Sequence, residues 1–306
     1  MAATAAVLCG PEIAVVRTDA PDAVRRAPLS GEGIAIFAAP DMRVLVPLRD
    51  RDATAVLSPA GTVTTIRGRV FPLFFDEPDR MLAVVPGFLV LASYPERLPL
   101  EKMPLEGVAG AWRAACSGDG RLAAVVAAGE GRRVLVMAGT RPGTPVVRVP
   151  LPAAATCLAA SPDGGWVAVG LEGGKLCVAA FGGSEAVSAP VDAGGGVASL
   201  AVSGDGRQIV AGVGGSGSGA VVGFSVRAGD KQPLKVRFST PLPAPVRDLA
   251  VAGDGVLAVT GGALAILGRN GHRLERLVPL PGPTGVVVLP ERASSTVPEW
   301  SDRPGH

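Results

Sequence analysis

Four segments of the chain repeat nearly the same pattern, and this repetition constrains the fold more than any other feature. Each segment has a short apolar run, an Asp-Gly pair and a second apolar run. The aspartates lie 44, 42 and 49 residues apart, at Asp119, Asp163, Asp205 and Asp254. Short apolar runs joined by tight polar turns are typical of strands. The chain is therefore predicted to be an all-β protein built from repeated sheets.

The repeat around Asp163 shows what one unit contains. Its apolar run at Cys157–Ala160 is followed by Ser161–Gly164, in which Pro and Asp favour a turn and Gly164 is expected at positive φ. Two further strands are predicted at residues 166–169 and 176–180, and a weaker outer strand at 187–191. Four strands at this period predict one blade of a β-propeller.

Weaker copies extend the series in both directions. Residues 34–41 and 73–79 have the same frame, and residues 285–289 supply a seventh inner strand. The strands missing from that last blade are expected from the N-terminus, at residues 5–8 and 13–16. Pairing the two chain ends would remove exposed sheet edges. The sequence predicts seven blades of four antiparallel strands closed in this way, with six blades as the alternative.

Composition indicates one folded domain rather than several. Hydrophobic residues make up 48% of the 306 residues and charged residues 18%, which excludes extensive disorder. We expect a single propeller over residues 1–290, followed by a polar C-terminal tail at 291–306. The N-terminus has no basic start, and the apolar run at 81–92 is too short to cross a bilayer. A cytoplasmic protein without membrane insertion is therefore predicted.

Charge and cysteine content exclude several kinds of partner and cofactor. The net charge of +2 provides no field that would attract nucleic acid. The four cysteines form no Cys-x-x-Cys pair, so neither a disulfide framework nor a zinc site is expected. The glycine string at 212–217 matches a dinucleotide-binding pattern, but an apolar strand follows it where a helix would be needed. No cofactor and no metal are predicted.

Catalytic residues are scarce in this chain. Its two histidines are His272, which follows the turn-forming Asn270-Gly271 pair, and the terminal His306. The predicted channel strands consist mostly of Ala, Val, Leu and Cys, without a cluster of acidic residues or histidines. A metal-dependent hydrolase site in the channel is therefore not expected.

The candidate binding residues are Trp and Arg side chains near the starts of inner strands. Trp112 and Arg113 open one repeat, Arg247 and Asp248 open another, and Trp300 lies in the predicted tail. Trp and Arg are common anchors of protein interfaces. In the alternative interpretation, Trp112 packs between blades and Arg247 pairs with its neighbour Asp248.

The segment Leu158-Ala159-Ala160-Ser161-Pro162-Asp163-Gly164-Gly165-Trp166-Val167-Ala168-Val169-Gly170 resembles a blade of WD-repeat or YVTN-type propellers, and Leu200–Gly212 is similar. The Trp-Asp pair is replaced by Ala179-Ala180, and no Gly-His pair occurs in frame. The resemblance implies the propeller fold and a role as a binding platform, without functional residues. We therefore predict a non-catalytic scaffold or adaptor that binds another protein or docks as a subunit of a larger assembly. The alternative is an enzyme or cofactor-dependent propeller, similar to a lactonase or hydrolase, with a site in its channel.

Overall fold

A computed structural model describes most of the chain. The described residues are 3–69, 71–77, 80–85, 87–94, 96–105, 108, 111–127, 130–141, 143–181, 187–215, 217–227, 233–268 and 271–289, with backbone only at 74–77, 111–112 and 130. No helix among these residues is long and apolar enough to cross a bilayer. The predicted tail at 291–306 lies outside the described residues.

The described chain forms seven four-stranded antiparallel sheets, one for each predicted blade. Blade 1 contains β1 (Thr4–Cys9), β2 (Glu12–Arg17) and β3 (Ala20–Pro28). Blade 2 contains β4 (Phe37–Ala38), β5 (Val44–Pro47), β6 (Ala53–Leu57) and β7 (Val63–Arg67). Blade 3 contains β8 (Pro72–Glu77), β9 (Arg80–Val85), β10 (Phe88–Ser93) and β11 (Pro99–Pro104). Blade 4 contains β12 (Ala111–Cys116), β13 (Leu122–Ala127), β14 (Val134–Gly139) and β15 (Val146–Pro150).

The remaining strands complete the ring. Blade 5 contains β16 (Ala155–Ala160), β17 (Trp166–Leu171), β18 (Lys175–Ala180) and β19 (Val191–Asp192). Blade 6 contains β20 (Gly196–Val202), β21 (Gln208–Gly214), β22 (Gly219–Val226) and β23 (Leu234–Leu242). Blade 7 contains β24 (Asp248–Ala252), β25 (Gly255–Val259), β26 (Ala263–Gly268) and β27 (Arg273–Pro279). The last strand, β28 (Gly285–Val288), returns to blade 1 as its inner strand.

The two ends of the propeller share one sheet. Strand β28 pairs antiparallel with β1, and Ala5 lies opposite Val288 in this register. The sheet order is β28-β1-β2-β3, so one C-terminal strand is combined with three N-terminal strands. The predicted closure and the count of seven blades are both confirmed.

In blade 5 the second strand is more deeply buried than the first. All six residues of β17 are buried, whereas the inner strand β16 alternates between buried and half-buried positions. A continuous apolar run fits a strand covered on both faces. The apolar run at Cys157–Ala160 would by itself indicate a strand covered on both faces, but β16 is only partly buried because it borders the channel.

The turn after the inner strand is built from the predicted residues. Ser161 Oγ donates to Asp163 Oδ1 at 2.7 Å and accepts the Trp166 amide at 3.1 Å. Gly164 has φ 71°, as expected. Blades 4 and 6 form the same pair through Ser117 and Ser203. Each serine thus satisfies a backbone amide that the turn would otherwise leave without a partner.

The fourth copy of the repeat has a tighter turn. Ala252 and Gly255 are opposite partners in the sheet, so only Gly253 and Asp254 connect the strands. Gly253, rather than Gly255, adopts positive φ, at 56°. Ala252 occupies the position of the turn serine, so blade 7 lacks the hydroxyl that supports the longer turn in blades 4, 5 and 6.

The glycine string belongs to a hairpin. Gly214 lies opposite Gly219, and the flanking residues form β21 and β22. A side chain at Gly212 would collide with Val246, because a Cβ there would approach Val246 Cγ1 to 2.5 Å. The apolar strand predicted after the glycine string is confirmed as β22, and close packing accounts for at least one of the glycines.

Candidate functional site

The two faces of the ring carry different connections. In blades 2 to 7 the chain runs from the channel to the rim through antiparallel strands, so all inner strands start at the same face. We call this the upper face. It carries the loops that lead into the inner strands, while the opposite, lower face carries the turns at Asp119, Asp163 and Asp205. Arg113, Arg247 and Asp248 all belong to the upper part of the ring.

Four side chains occupy the same position in consecutive inner strands. Arg113, Cys157 and Ser199 each precede their turn serine by four residues, and Asp248 precedes Ala252 by the same distance. In blades 4, 5 and 6 the register shifts just before this position, between Val197 and Ser199 for example. Such bulges change the direction of the next side chain. One level of the upper channel therefore presents Arg, Cys, Ser and Asp in order.

Asp248 joins three blades through its carboxylate. Its Oδ1 accepts the Ser199 hydroxyl at 2.8 Å and the Leu249 amide at 2.9 Å. Its Oδ2 accepts the Val286 amide at 3.0 Å. Burial raises the pKa of Asp248, and these hydrogen bonds together with the charge of Arg113 oppose that rise. Both oxygens are thus used in holding blades 6, 7 and 1 together.

Similar contacts connect blades 4, 5 and 6 at this level. Arg113 Nε donates to the Thr156 carbonyl at 3.3 Å. Thr156 Oγ1 donates to the Val197 carbonyl at 2.7 Å. With the contacts of Asp248, polar side chains link five consecutive blades from blade 4 to blade 1. The arrangement stabilises the order of the blades around the channel.

The structure describes the side chains of some predicted binding residues but not of all. Arg113 and Arg247 are exposed at the upper face. Arg247 Nη1 contacts the Pro283 carbonyl at 3.4 Å, and no ion pair joins it to Asp248, both being described residues. The predicted local pair is therefore wrong, because other donors occupy the carboxylate. The side chain of Trp112 and all of Trp300 lie outside the described parts, so their roles stay predictions.

The channel contains an apolar cavity of about 370 Å³ between blades 7, 1, 2 and 3. Its lining consists of inner-strand residues: Phe37, Ala38, Pro72, Leu73, Ala250, Val251, Val286, Val287 and Val288.

Cys116 lies in the inner strand of blade 4, and burial raises its thiol pKa to about 12. This thiol is protonated at neutral pH and is a poor nucleophile.

Metal-ligating groups do not cluster among the described side chains. No three residues of the types His, Cys, Asp and Glu there are close enough to share a metal ion. His272 lies against the Phe238 ring, with centroids 4.0 Å apart, at the lower end of blade 7. It is therefore remote from Asp248 at the upper end of the channel.

Sequence reasoning missed Thr156 and Ser199 as members of this arrangement. The alignment of the four repeats already places Arg113, Cys157, Ser199 and Asp248 at one position. Polar residues at one repeat position would have indicated a shared level of the channel. Their hydrogen-bond partners depend on the ring geometry, which the alignment does not contain.

The fold is shared with several solved propellers, although no sequence family matches the chain and no curated protein is similar to it. A protein of unknown function from Desulfotomaculum acetoxidans DSM 771 is 12% identical, with 94% of this chain and 98% of that chain covered and a TM-score of 0.73. A provisionally assigned 6-phosphogluconolactonase from Bacteroides uniformis ATCC 8492 is 13% identical, with coverages of 94% and 99% and a TM-score of 0.65. The Cps50 (Swd1) β-propeller domain of Myceliophteria thermophila is 16% identical, with coverages of 83% and 88% and a TM-score of 0.63.

These likenesses confirm the β-propeller fold. A provisional activity is given for one of the three, one is functionally unknown, and all are below 20% identity. A fold of this kind is used by both binding proteins and enzymes. The choice between these functions therefore depends on the residues of this chain.

Proposed function

We propose that this protein is a non-catalytic propeller scaffold that binds another protein through its upper face. The observation that carries the proposal is the state of Asp248. It is the acidic member of the four residues at the polar level of the upper channel, and both its oxygens accept hydrogen bonds from neighbouring blades. A general base needs a lone pair directed at its substrate. The Asp248 carboxylate instead accepts hydrogen bonds that connect blade 7 to blades 6 and 1.

The upper face offers what a protein partner would need. Arg113 and Arg247 are exposed there, on blades that the polar contacts hold in fixed positions. Loops presented by a rigid framework are common binding elements. We include Trp112, Asp248 and Trp300 in the proposed binding region, Asp248 as a positioning residue. Neither nucleic acid nor a cofactor is part of the proposal, and we place the protein in the cytoplasm.

The test compares the two faces of the ring. The Trp112→Ala, Arg247→Ala double variant should lose its captured partner, with a decrease of about 30-fold or more if both residues are anchors. A matched control, Arg121→Ala, Arg207→Ala, removes two exposed arginines from the lower face. Partner recovery from cells is measured by quantitative mass spectrometry, with circular dichroism as the test of folding.

The outcomes decide whether the partner binds the upper face. Loss of the partner in the upper-face variant alone supports the proposal. Equal recovery by wild type and upper-face variant, or loss in the lower-face control alone, would place binding elsewhere. Trp300 would then be the next residue to replace.

The alternative function is hydrolysis of a small lactone in the channel. It is favoured by the likeness to provisionally assigned lactonases and by the 370 Å³ cavity, whose size is within the range of ligand pockets. Purified protein should show no hydrolysis of sugar lactones above the uncatalysed rate. Turnover that disappears in Asp248→Asn, while circular dichroism shows an intact fold, would contradict the scaffold proposal and identify the carboxylate as catalytic.

A further inference from the structure

We infer that the upper surface of blades 3 and 4 binds an acidic peptide segment that also carries apolar side chains. This inference rests on the proposed function, since it specifies the chemistry of the protein partner. The blade 3–4 surface is defined by Phe71, Val85, Phe88, Arg113, Arg132 and Arg133. It combines an apolar part on one blade with a basic part on the next.

The apolar part consists of large side chains that remain accessible to solvent. Phe71 is 39% exposed, Val85 39% and Phe88 41%. Val85 and Phe88 are opposite partners at the turn between β9 and β10. Phe71 directly precedes β8 at the same end of this sheet and meets Phe37 edge-on, with centroids 6.2 Å apart. Apolar side chains that share one end of a sheet are typical of binding surfaces.

The basic part reflects an uneven distribution of charge. Blade 4, residues 111–150, contains six arginines but only Asp119 and Glu130 as acidic residues, a formal net charge of +4. The whole chain has a net charge of only +2, so the rest of the chain is slightly acidic. Three of the six arginines belong to the upper face: Arg113, Arg132 and Arg133. A concentration of one charge at a surface attracts a partner of opposite charge.

The turn between β13 and β14 holds two of these arginines in a specific conformation. Gly131 has φ 65°, and Arg132 has φ 61°, which is unfavourable for a residue with a side chain. Arg132 also pairs with Glu172 of blade 5 at 2.9 Å. Arg133 is exposed, and its side chain makes no ion pair or hydrogen bond with the described residues. A strained turn of this kind is often associated with function.

The two parts are fixed relative to each other by a shared core. Leu82 and Leu89 of blade 3 belong to the same buried cluster as Val125 and Val136 of blade 4. A partner therefore meets apolar and basic groups at a constant separation. Arginine binds carboxylates through paired hydrogen bonds, and exposed aromatic rings bind apolar side chains. An extended segment rich in Asp or Glu, with Leu or Phe between them, satisfies both parts.

The experiment selects binders from a random-peptide phage-display library on the intact protein. Selected sequences should be enriched in Asp and Glu together with large apolar residues. The synthetic peptide of the strongest clone should bind at least tenfold more weakly to Phe88→Ser and to Arg133→Glu. Its affinity should fall with added salt, since exposed charges are screened.

Matched controls separate this surface from nonspecific contact. Leu100→Ser removes a more exposed apolar side chain, at 56%, from the rim of the same blade. Arg207→Glu reverses an exposed arginine on the lower face. Both controls should bind the peptide within about twofold of wild type.

The possible failures are distinguishable. Selected peptides that lack acidic enrichment, or that bind Phe88→Ser and Arg133→Glu like wild type, would overturn the blade 3–4 surface but leave a protein-binding propeller. Selection of no peptide at all, together with no partner captured from cells, would overturn both proposals. Binding that is reduced equally by the controls would also reject the surface.

Discussion

Blade 5 and blade 1 are assembled in different ways: one from a continuous stretch of chain, the other from both ends of the chain. Blade 5 is continuous in the chain, and residues adjacent in sequence build its first turn, with Ser161 and Asp163 only two positions apart. Blade 1 combines β28 with β1, so that Ala5 lies beside Val288 from the other end of the chain. Local chemistry therefore specifies blade 5, whereas closure of the ring specifies blade 1.

Blade 2 shows what happens when the local chemistry is weakened. Its turn has the hydrogen bonds of blade 5: Met42 N donates to the Ala39 carbonyl at 3.0 Å, and Asp41 accepts the Arg43 amide at 3.1 Å. Alanine replaces the serine, however, and Met42 adopts φ 64° where blade 5 has glycine. The inner strand is only two residues long. Packing between neighbouring blades therefore maintains a turn that its own residues do not favour.

The largest effect is expected from opening blade 1. Deletion of residues 1–17 removes β1 and β2 and exposes the edges of β28 and β3. The whole ring should lose stability, with a decrease in Tm of roughly 10 °C or more, because several kcal/mol are lost. Differential scanning calorimetry is the measurement, and deletion of the predicted tail at 291–306 is the control. Unchanged melting of the N-terminal deletion would refute the importance of closure.

Removal of the Asp248 carboxylate should have the next largest effect. Asp248→Ala leaves the Ser199 hydroxyl and the Val286 amide without their acceptor, while the Leu249 amide keeps a longer hydrogen bond to Ser199 Oγ at 3.3 Å. Buried donors without partners cost about 1–3 kcal/mol each, so we expect a loss of about 3 kcal/mol in the free energy of unfolding. Urea denaturation measures it. Asp248→Asn retains one acceptor oxygen and should lose less; an equal loss would contradict this account.

A side chain at the glycine of the blade 5 turn should destabilise the protein by about 2 kcal/mol. Gly164→Val forces a β-branched residue to φ 71°, and its Cβ would approach Leu122 Cβ to 3.3 Å. Gly204→Ala in the blade 6 turn is the control, since Gly204 has ordinary φ and no atom within 4 Å of the new Cβ. Its effect should stay within about 0.5 kcal/mol. Gly217, at the end of the glycine string, is unsuitable as a neutral control because its φ is 90°.

The opposite exchange in blade 2 should stabilise the protein slightly. Met42→Gly removes a side chain from a left-handed conformation, which costs about 1–2 kcal/mol, while glycine adds flexibility to the unfolded chain. A net gain of about 0.5 kcal/mol is expected in urea denaturation. A loss of stability would show that contacts of the Met42 side chain outweigh the backbone strain.

The pH dependence of stability should distinguish the two kinds of aspartate. Hydrogen bonds from Ser161 and the Gly165 amide lower the pKa of Asp163, so its contribution is present at neutral pH and is lost as pH falls through the lowered value. Burial raises the pKa of Asp248, so its contribution decreases as pH rises through the raised value. Asp163→Asn and Asp248→Asn should therefore change the slope of stability against pH in opposite directions. Slopes changed in the same direction would contradict these assignments.

The candidate site was predictable only in part. Arg113 and Arg247 were expected at the starts of inner strands, and both lie exposed at the upper face. The role of Asp248 was not predicted, because its partners are 49 and 38 residues away in the chain. The basic character of blade 4 can be counted in the sequence, but its position beside Phe71 and Phe88 follows from the ring.

The sequence by itself determined the repeat, the strands and the turns, because these depend on residues close together in the chain. The spacing of Asp119, Asp163 and Asp205 and the φ of Gly164 are examples. Only the tertiary structure decided that Asp248 closes onto Val286 and that in blade 5 the second strand, rather than the first, is fully buried. Both depend on how seven sheets share one axis. Local pattern specifies a blade, while contacts between blades exist only after the ring has closed.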